Sequence, residues 1–417
     1  MQNTYKLEAA GTYSLKNVRL ETGFKTLESG DVVTITDLFC VEVKDGEITG
    51  ISANDPNLSG AMDAQGLLML PAIKDMHIHL DKTLYGLPWQ ALAESRKTVA
   101  NRIAYEIEII PELLKTAKER SDQLINLLQS YGTSFARAHV NIESTSKLES
   151  LGKLESVLQR KKESFSSELV AFPQHGLYYT DALEWMQRAV KLDSIAFVGA
   201  LDPYSIDGHI EKSLDATLQM AIDTDKGIDM HLHDGGEQGI KTIEYLIHKV
   251  LENPQLKGKT YISHAFFLAE LSPAQAKEFA GKLANAKIGI VSSVPIRDKM
   301  VMPIPILMDQ GVEVLIGSDN IQDHWSTLGS GNMLQKVNLM ADLYGWETEL
   351  SLSRAFGFAT KNLLPLASDG AQNWPKKGDP AEFTFIDASC SAEAVARVSK
   401  TVAFAHKGNL YWKQAAE

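Results

Sequence analysis

Between about residue 73 and residue 316, short apolar runs alternate with long amphipathic stretches, and no other feature narrows the fold so far. The candidate strands are Leu68–Ile78, Ser134–Ile142, Leu169–His175, Ile195–Leu201, Gly227–His233, Thr260–His264, Lys287–Val291 and Glu313–Ile316. Helix-period patterns fall between most of them, at Asn101–Leu128, Thr180–Lys191, Gln238–Leu251 and Pro273–Asn285. A short apolar run followed by an amphipathic helix is the pattern of a parallel β/α unit. Eight such units predict a (β/α)8 TIM barrel over residues 73–364, a fold that usually takes ~250 residues or more.

The flanks read differently. Thr12–Leu20, Asp31–Thr36, Phe39–Val43 and Glu47–Ile51 carry β-branched and aromatic residues, and Lys44-Asp45-Gly46 is a hairpin-type turn. Strand character returns at Ala381–Asp387, Thr401–Ala405 and Asn409–Trp412. These pieces predict a small flanking β-sandwich made from both termini, residues 1–72 plus 365–417, within an α/β protein.

A net charge of −12 argues against a nucleic-acid partner, which needs a basic face. No apolar run approaches the ~20 residues that span a bilayer, and the N-terminus has no apolar secretory segment. Two cysteines far apart, Cys40 and Cys390, predict reduced thiols. The expectation is a cytoplasmic protein with a small-molecule substrate, no membrane and no nucleic acid. Assembly into a homo-oligomer stays open.

The histidines carry the chemistry. Six of the eleven (His77, His79, His175, His231, His233 and His264) lie at or near the C-terminal ends of four candidate strands. His139 is late in a fifth, and His324 follows the last. Barrels of this kind place catalytic residues at those strand ends. In an extended strand His77 and His79 point to the same face and converge on one point. Asp319 stands just past a buried strand, a costly place for an acid unless it is paired, ligated or solvated. His77, His79, His231 and Asp319 thus suggest one divalent metal ion, and nitrogen with oxygen donors suits Zn or Fe. Such an ion lowers the pKa of bound water from about 15.7 to about 7. His264 is placed to orient or share the proton of that water.

The stretches His77-Ile-His-Leu-Asp81, Val170-Ala-Phe-Pro-Gln174, Asp229-Met-His231, Ser263-His264 and Gly317-Ser-Asp319 on through Trp325 to Leu334 occur in order. Together they resemble the amidohydrolase superfamily, and within it the cytosine deaminase-like family. The resemblance implies His77, His79, His231 and Asp319 as metal ligands, with Asp319 also accepting the water proton. It implies that His264 steadies the water, that Gln174 hydrogen-bonds the substrate ring and that Trp325 lines the pocket. The chain departs from the family where a glutamate would carry a proton to the ring. Asp234 stands there, and Glu237 competes for the role. His233 shares the strand face of His231, and Asn320 replaces a substrate-holding aspartate. Lys82, after His79-Leu-Asp81, is a further substrate-contact candidate. The implied reaction is hydrolysis of a non-peptide C–N bond, deaminating a planar amino-substituted nitrogen heterocycle. Alternatives are opening of a cyclic amide or ureide at the same site, or a non-catalytic metal- or ligand-binding protein.

Overall fold

Alternation in the N-terminal residues produces strands β1 (Tyr5–Ala9), β2 (Tyr13–Thr26), β3 (Val32–Lys44), β4 (Glu47–Ala53), β5 (Met62–Asp63) and β6 (Leu68–Pro71). These come from a computed structural model that describes residues 5–93, 98–296 and 300–414. The two runs expected at Asp31–Thr36 and Phe39–Val43 are one strand. Asp37 and Leu38 between them stay extended and pair with Leu20 and Arg19 of β2. Asp45 and Gly46 both take positive φ, 52° and 84°, and join Lys44 to its partner Glu47, as a two-residue type I′ hairpin requires.

The barrel strands follow: β7 (Ile73–Ile78), β8 (Thr133–Asn141), β9 (Ser166–Phe172), β10 (Ile195–Leu201), β11 (Gly227–Leu232), β12 (Thr260–His264), β13 (Ile288–Ser292) and β14 (Val314–Ile316). Each is a parallel neighbour of the next, and the spatial order is the order in sequence. An apolar core including Ile78, Val140, Ala171, Val198, Met230 and Ile262 holds the strands and their covering helices together. The long pattern at Asn101–Leu128 is two helices, α1 (Val99–Lys115) and a second at Ala117–Ser130, parted at Thr116.

The last strands are β15 (Phe383–Ile386), β16 (Thr401–His406) and β17 (Asn409–Lys413). They join the N-terminal strands in one sheet ordered β1-β17-β16-β15-β6-β2-β3-β4, with β5 beside β2. The flanking β-structure is therefore a single continuous sheet with its own core, in which Leu15, Leu20 and Val41 meet Phe383, Phe385 and Leu410. The expected strand Leu68–Ile78 divides between the two sheets. Leu68–Pro71 pairs with β15, and only Ala72 separates it from the barrel strand β7. Nearly the whole run is buried, and Pro71 at the end of β6 is the one sequence signal at the change of sheet.

The barrel closes at the site end. Ile78 bridges Asp319 in parallel, and the Asp319 amide donates to the His77 carbonyl at 2.7 Å. The approach depends on Gly317, where a Cβ would lie 2.4 Å from the His77 nitrogen and 2.5 Å from its Cβ. Those are backbone and near-backbone atoms with nowhere to move. Gly317→Ala should destabilise the protein by about 1–3 kcal/mol or more and lower its metal content. Thermal unfolding and elemental analysis of the purified variant check both, and unchanged values would remove the steric argument.

Candidate metal centre

His77 and His79 leave the end of β7, His231 the end of β11, and Asp319 the turn after β14. One donor atom from each of the four lies within 4.8 Å of the others. His77 Nε2 and His79 Nε2 each stand 3.5 Å from Asp319 Oδ1, and His231 Nε2 is 3.3 Å from His79 Nε2. Donors about 2.0–2.1 Å from a tetrahedral ion stand about 3.3–3.4 Å apart. The spacing therefore suits a single ion.

The protonation states agree. Burial, then the charge of Lys82, pushes His79 down to about 3, and burial holds His231 and His264 well below the usual imidazole value. Neutral imidazoles keep a lone pair for a metal. Burial alone would raise the Asp319 pKa, but His264, His77 and His79 around it hold the carboxyl well below the usual range. The tautomer of His77 is fixed from behind. Ser263 Oγ donates to Asp229 Oδ1 at 2.6 Å, so it accepts from His77 Nδ1 at 2.8 Å and leaves Nε2 facing the centre. His77 Nε2 is buried without a hydrogen-bond partner among the described residues, which fits the role of a metal donor.

His264 and Asp319 both hold positive φ, 73° and 64°. Non-glycine residues adopt that region at a cost of order 1–3 kcal/mol, and such residues cluster at functional sites. The His231 ring is stacked on Phe172 with centroids 4.0 Å apart, which sets its plane.

The other expected site residues divide. Lys82 and Gln174, both buried, come together, with the ammonium donating to Gln174 Oε1. The Lys82 nitrogen also lies 5.2 Å from the centre of the Trp325 ring. Asn320 Nδ2 donates to Asp319 Oδ1 at 3.0 Å, leaving its Oδ1 buried with no partner among the described residues. His233 stacks on His264 with centroids 4.6 Å apart, and its Nδ1 is held by Asp202 Oδ2 at 2.8 Å. Burial would lower the His233 pKa, but Asp202 beside it raises it overall.

The two proton-shuttle candidates are engaged by other partners. Asp234 Oδ2 accepts from the Tyr204 and Ser205 amides, each at 3.3 Å. Glu237 is 75% exposed in the first turn of helix Gly236–Glu252, where it pairs with Lys241 at 2.8 Å. The turn at Gly235-Gly236 carries the chain into that outer helix before Glu237 is reached, so the structure does not bring Glu237 to the four donors. Asp202 and Glu106 were not foreseen from the sequence. Asp202 carried the same signal as Asp319, an acid just past a buried strand. Glu106, in the middle of α1, carried none.

A model of the Amidohydrolase family matches residues 219–403. The Escherichia coli K12 protein YahJ is 46% identical over 408 residues, 97% of this chain and 88% of the relative. The chain belongs to the amidohydrolase family. This amidohydrolase is 28% identical over 323 residues to the N-isopropylammelide isopropyl amidohydrolase of Pseudomonas sp. strain ADP, covering 75% of this chain and 76% of that one. Its fold matches the structure of 5-methylcytosine deaminase from Klebsiella pneumoniae liganded with 5-fluorocytosine, with a TM-score of 0.79 and 23% identity, over 97% of this chain and 98% of that one. The amidohydrolase is a metal-dependent hydrolase acting on C–N bonds. No helix among its described residues is long and apolar enough to cross a membrane.

Proposed function

We propose that this amidohydrolase removes an amino or alkylamino group from a planar nitrogen heterocycle, using one divalent ion, zinc or iron, held by His77, His79, His231 and Asp319. An ion bound there acidifies water to the neutral range. The observation that carries the reading is the convergence of three imidazoles and one carboxylate beside a polar, aromatic wall.

The chain's own groups divide the remaining work. Asp319 is positioned to take the proton of the attacking water, and His264 to orient that water. With Nδ1 of His233 held by Asp202, the free Nε2 is the atom available to carry a proton to the departing nitrogen. Asp234 and Glu237 are less suited, because one is turned onto backbone amides and the other faces solvent. Lys82 and Gln174 supply donors to a ring oxygen, and the Trp325 face supplies a stacking surface. The unpartnered Asn320 Oδ1 suits a ring N–H, since a buried acceptor gains most from a donor. The names of two relatives, an N-isopropylammelide isopropyl amidohydrolase and a 5-methylcytosine deaminase, support a heterocyclic substrate.

Protein loaded with zinc or iron should release ammonia or an amine, with the ring intact, from members of a panel of aminopyrimidines, alkylamino-triazines, pterins and cyclic ureides. Chelation should bring turnover to background, and restoring the metal should recover it. A product bearing a new carboxylate would shift the reading to ring opening. Metal-loaded protein inert to the whole panel would count against catalysis of this class.

A further inference from the structure

Glu106 is fully buried in the middle of α1, a covering helix, and belongs to no part of the metal cluster. A lone buried carboxylate is costly unless its oxygens are satisfied. Here they are satisfied by residues from separate parts of the barrel mouth. Oε1 accepts from Asn141 Nδ2 at 2.8 Å, and His324 Nε2 lies 3.1 Å from it. Oε2 accepts from His175 Nε2 at 3.1 Å and from the Trp325 indole nitrogen at 3.0 Å. One turn earlier on the same helix, Arg102 Nη1 donates to the Trp325 carbonyl at 2.7 Å, and its guanidinium lies 5.8 Å from the ring centre. Helix α1 therefore grips Trp325 at its ring nitrogen and at its backbone.

We propose that Glu106 is the positioning residue of the substrate pocket: it fixes the plane of the Trp325 ring against Lys82 and so sets how a flat substrate is held. This rests on the reading of Trp325 as a wall of the substrate site. Glu106 acts through Trp325 and touches neither the metal donors nor the reacting atoms. Its removal should therefore weaken substrate binding while leaving the metal site whole.

Glutamine separates charge from geometry. In Glu106→Gln the amide oxygen still accepts from Trp325 and His175. Its nitrogen then faces Asn141 and His324 Nε2. Asn141 can accept by turning over, because its Oδ1 is buried without a partner among the described residues. His324 can accept with its Nε2 lone pair when the ring proton is on Nδ1. Alanine removes every acceptor.

The test compares wild type, Glu106→Gln and Glu106→Ala, each with and without Trp325→Phe, as metal-loaded protein. Acrylamide quenching of the Trp325 fluorescence, taken as the difference between each protein and its Trp325→Phe partner, needs no substrate. It should rise several-fold in Glu106→Ala and stay near wild type in Glu106→Gln, with metal content unchanged in both. On a substrate found by the panel, Glu106→Ala should raise KM about tenfold or more, the factor expected for losing a hydrogen bond to a charged group, with kcat within about threefold. That KM effect should largely vanish in the Trp325→Phe background, because coupled residues are not additive. If Glu106→Ala does not fold, the same cycle on Glu106→Gln decides, with a smaller KM rise that Trp325→Phe again absorbs. An unchanged quenching difference in Glu106→Ala, additive KM effects in either cycle or loss of the metal would overturn the proposal. Failure of wild type on every substrate would remove the heterocycle reading, while the quenching comparison would still decide the placement of Trp325.

Discussion

Asp319→Asn is expected to lower kcat on any competent substrate by about 10²–10⁴, the range by which a positioned proton acceptor accelerates a reaction. The amide matches the carboxylate in size, so the barrel closure through the Asp319 backbone should survive. What disappears is the negative charge toward which His77, His79 and Asn320 all point. Asp319 has two expected roles, ligand and proton acceptor, and metal titration separates them. If excess zinc or iron restores full occupancy but not the rate, the lost function is proton transfer. If occupancy and rate return together, Asp319 serves mainly as a ligand. A wild-type rate at wild-type occupancy would end the assignment of either role.

Asp229→Ala should have the largest effect on stability. Asp229 and Arg137 are both buried in the barrel and meet at 3.0 Å, and the guanidinium lies 4.0 Å and 4.4 Å from the ring centres of Phe197 and Tyr261. Removing one partner of a buried pair leaves the other charge uncompensated, at a cost of about 3–5 kcal/mol. Glu168, 2.9 Å from Arg137, offsets only part of this because it is itself partly exposed. The same substitution cuts the link through Ser263 to His77, and loss of such an outer partner typically weakens metal binding about 10–100-fold. Ser263→Ala should reproduce the weaker metal binding while keeping most of the stability, since Arg137 and Asp229 remain paired. Denaturant unfolding and competition with a chelator measure the two effects separately. An Asp229→Ala protein as stable as wild type would refute the first.

How far the sequence reaches depends on how local the cause is. The barrel strands are legible because each is a short apolar run next to a helical pattern, and both signals lie within a few tens of residues. The grouping of His77, His79, His231 and Asp319 is legible for a related reason. The barrel fixes where strand ends go, so a histidine at a strand end already has an approximate address. The single sheet shared by both termini is harder to see, because its pairing of β6 with β15 joins residues over three hundred positions apart. Glu237 misled because only the turn at Gly235-Gly236 decides whether a loop acid faces the pocket or the solvent. Glu106 was invisible because its partners Asn141, His175 and Trp325 lie 35, 69 and 219 residues away. A glutamate in an amphipathic helix is ordinary until its neighbours in space are known.

The passage from β6 to β7 through Ala72 alone has a practical meaning for anyone re-engineering this scaffold. A joint that short offers no hinge, so a residue inserted there would change which face of β7 looks inward and swing both imidazoles away from the cavity. New sequence is better grafted into the exposed turns of the terminal strands, where a shift in register never reaches His77.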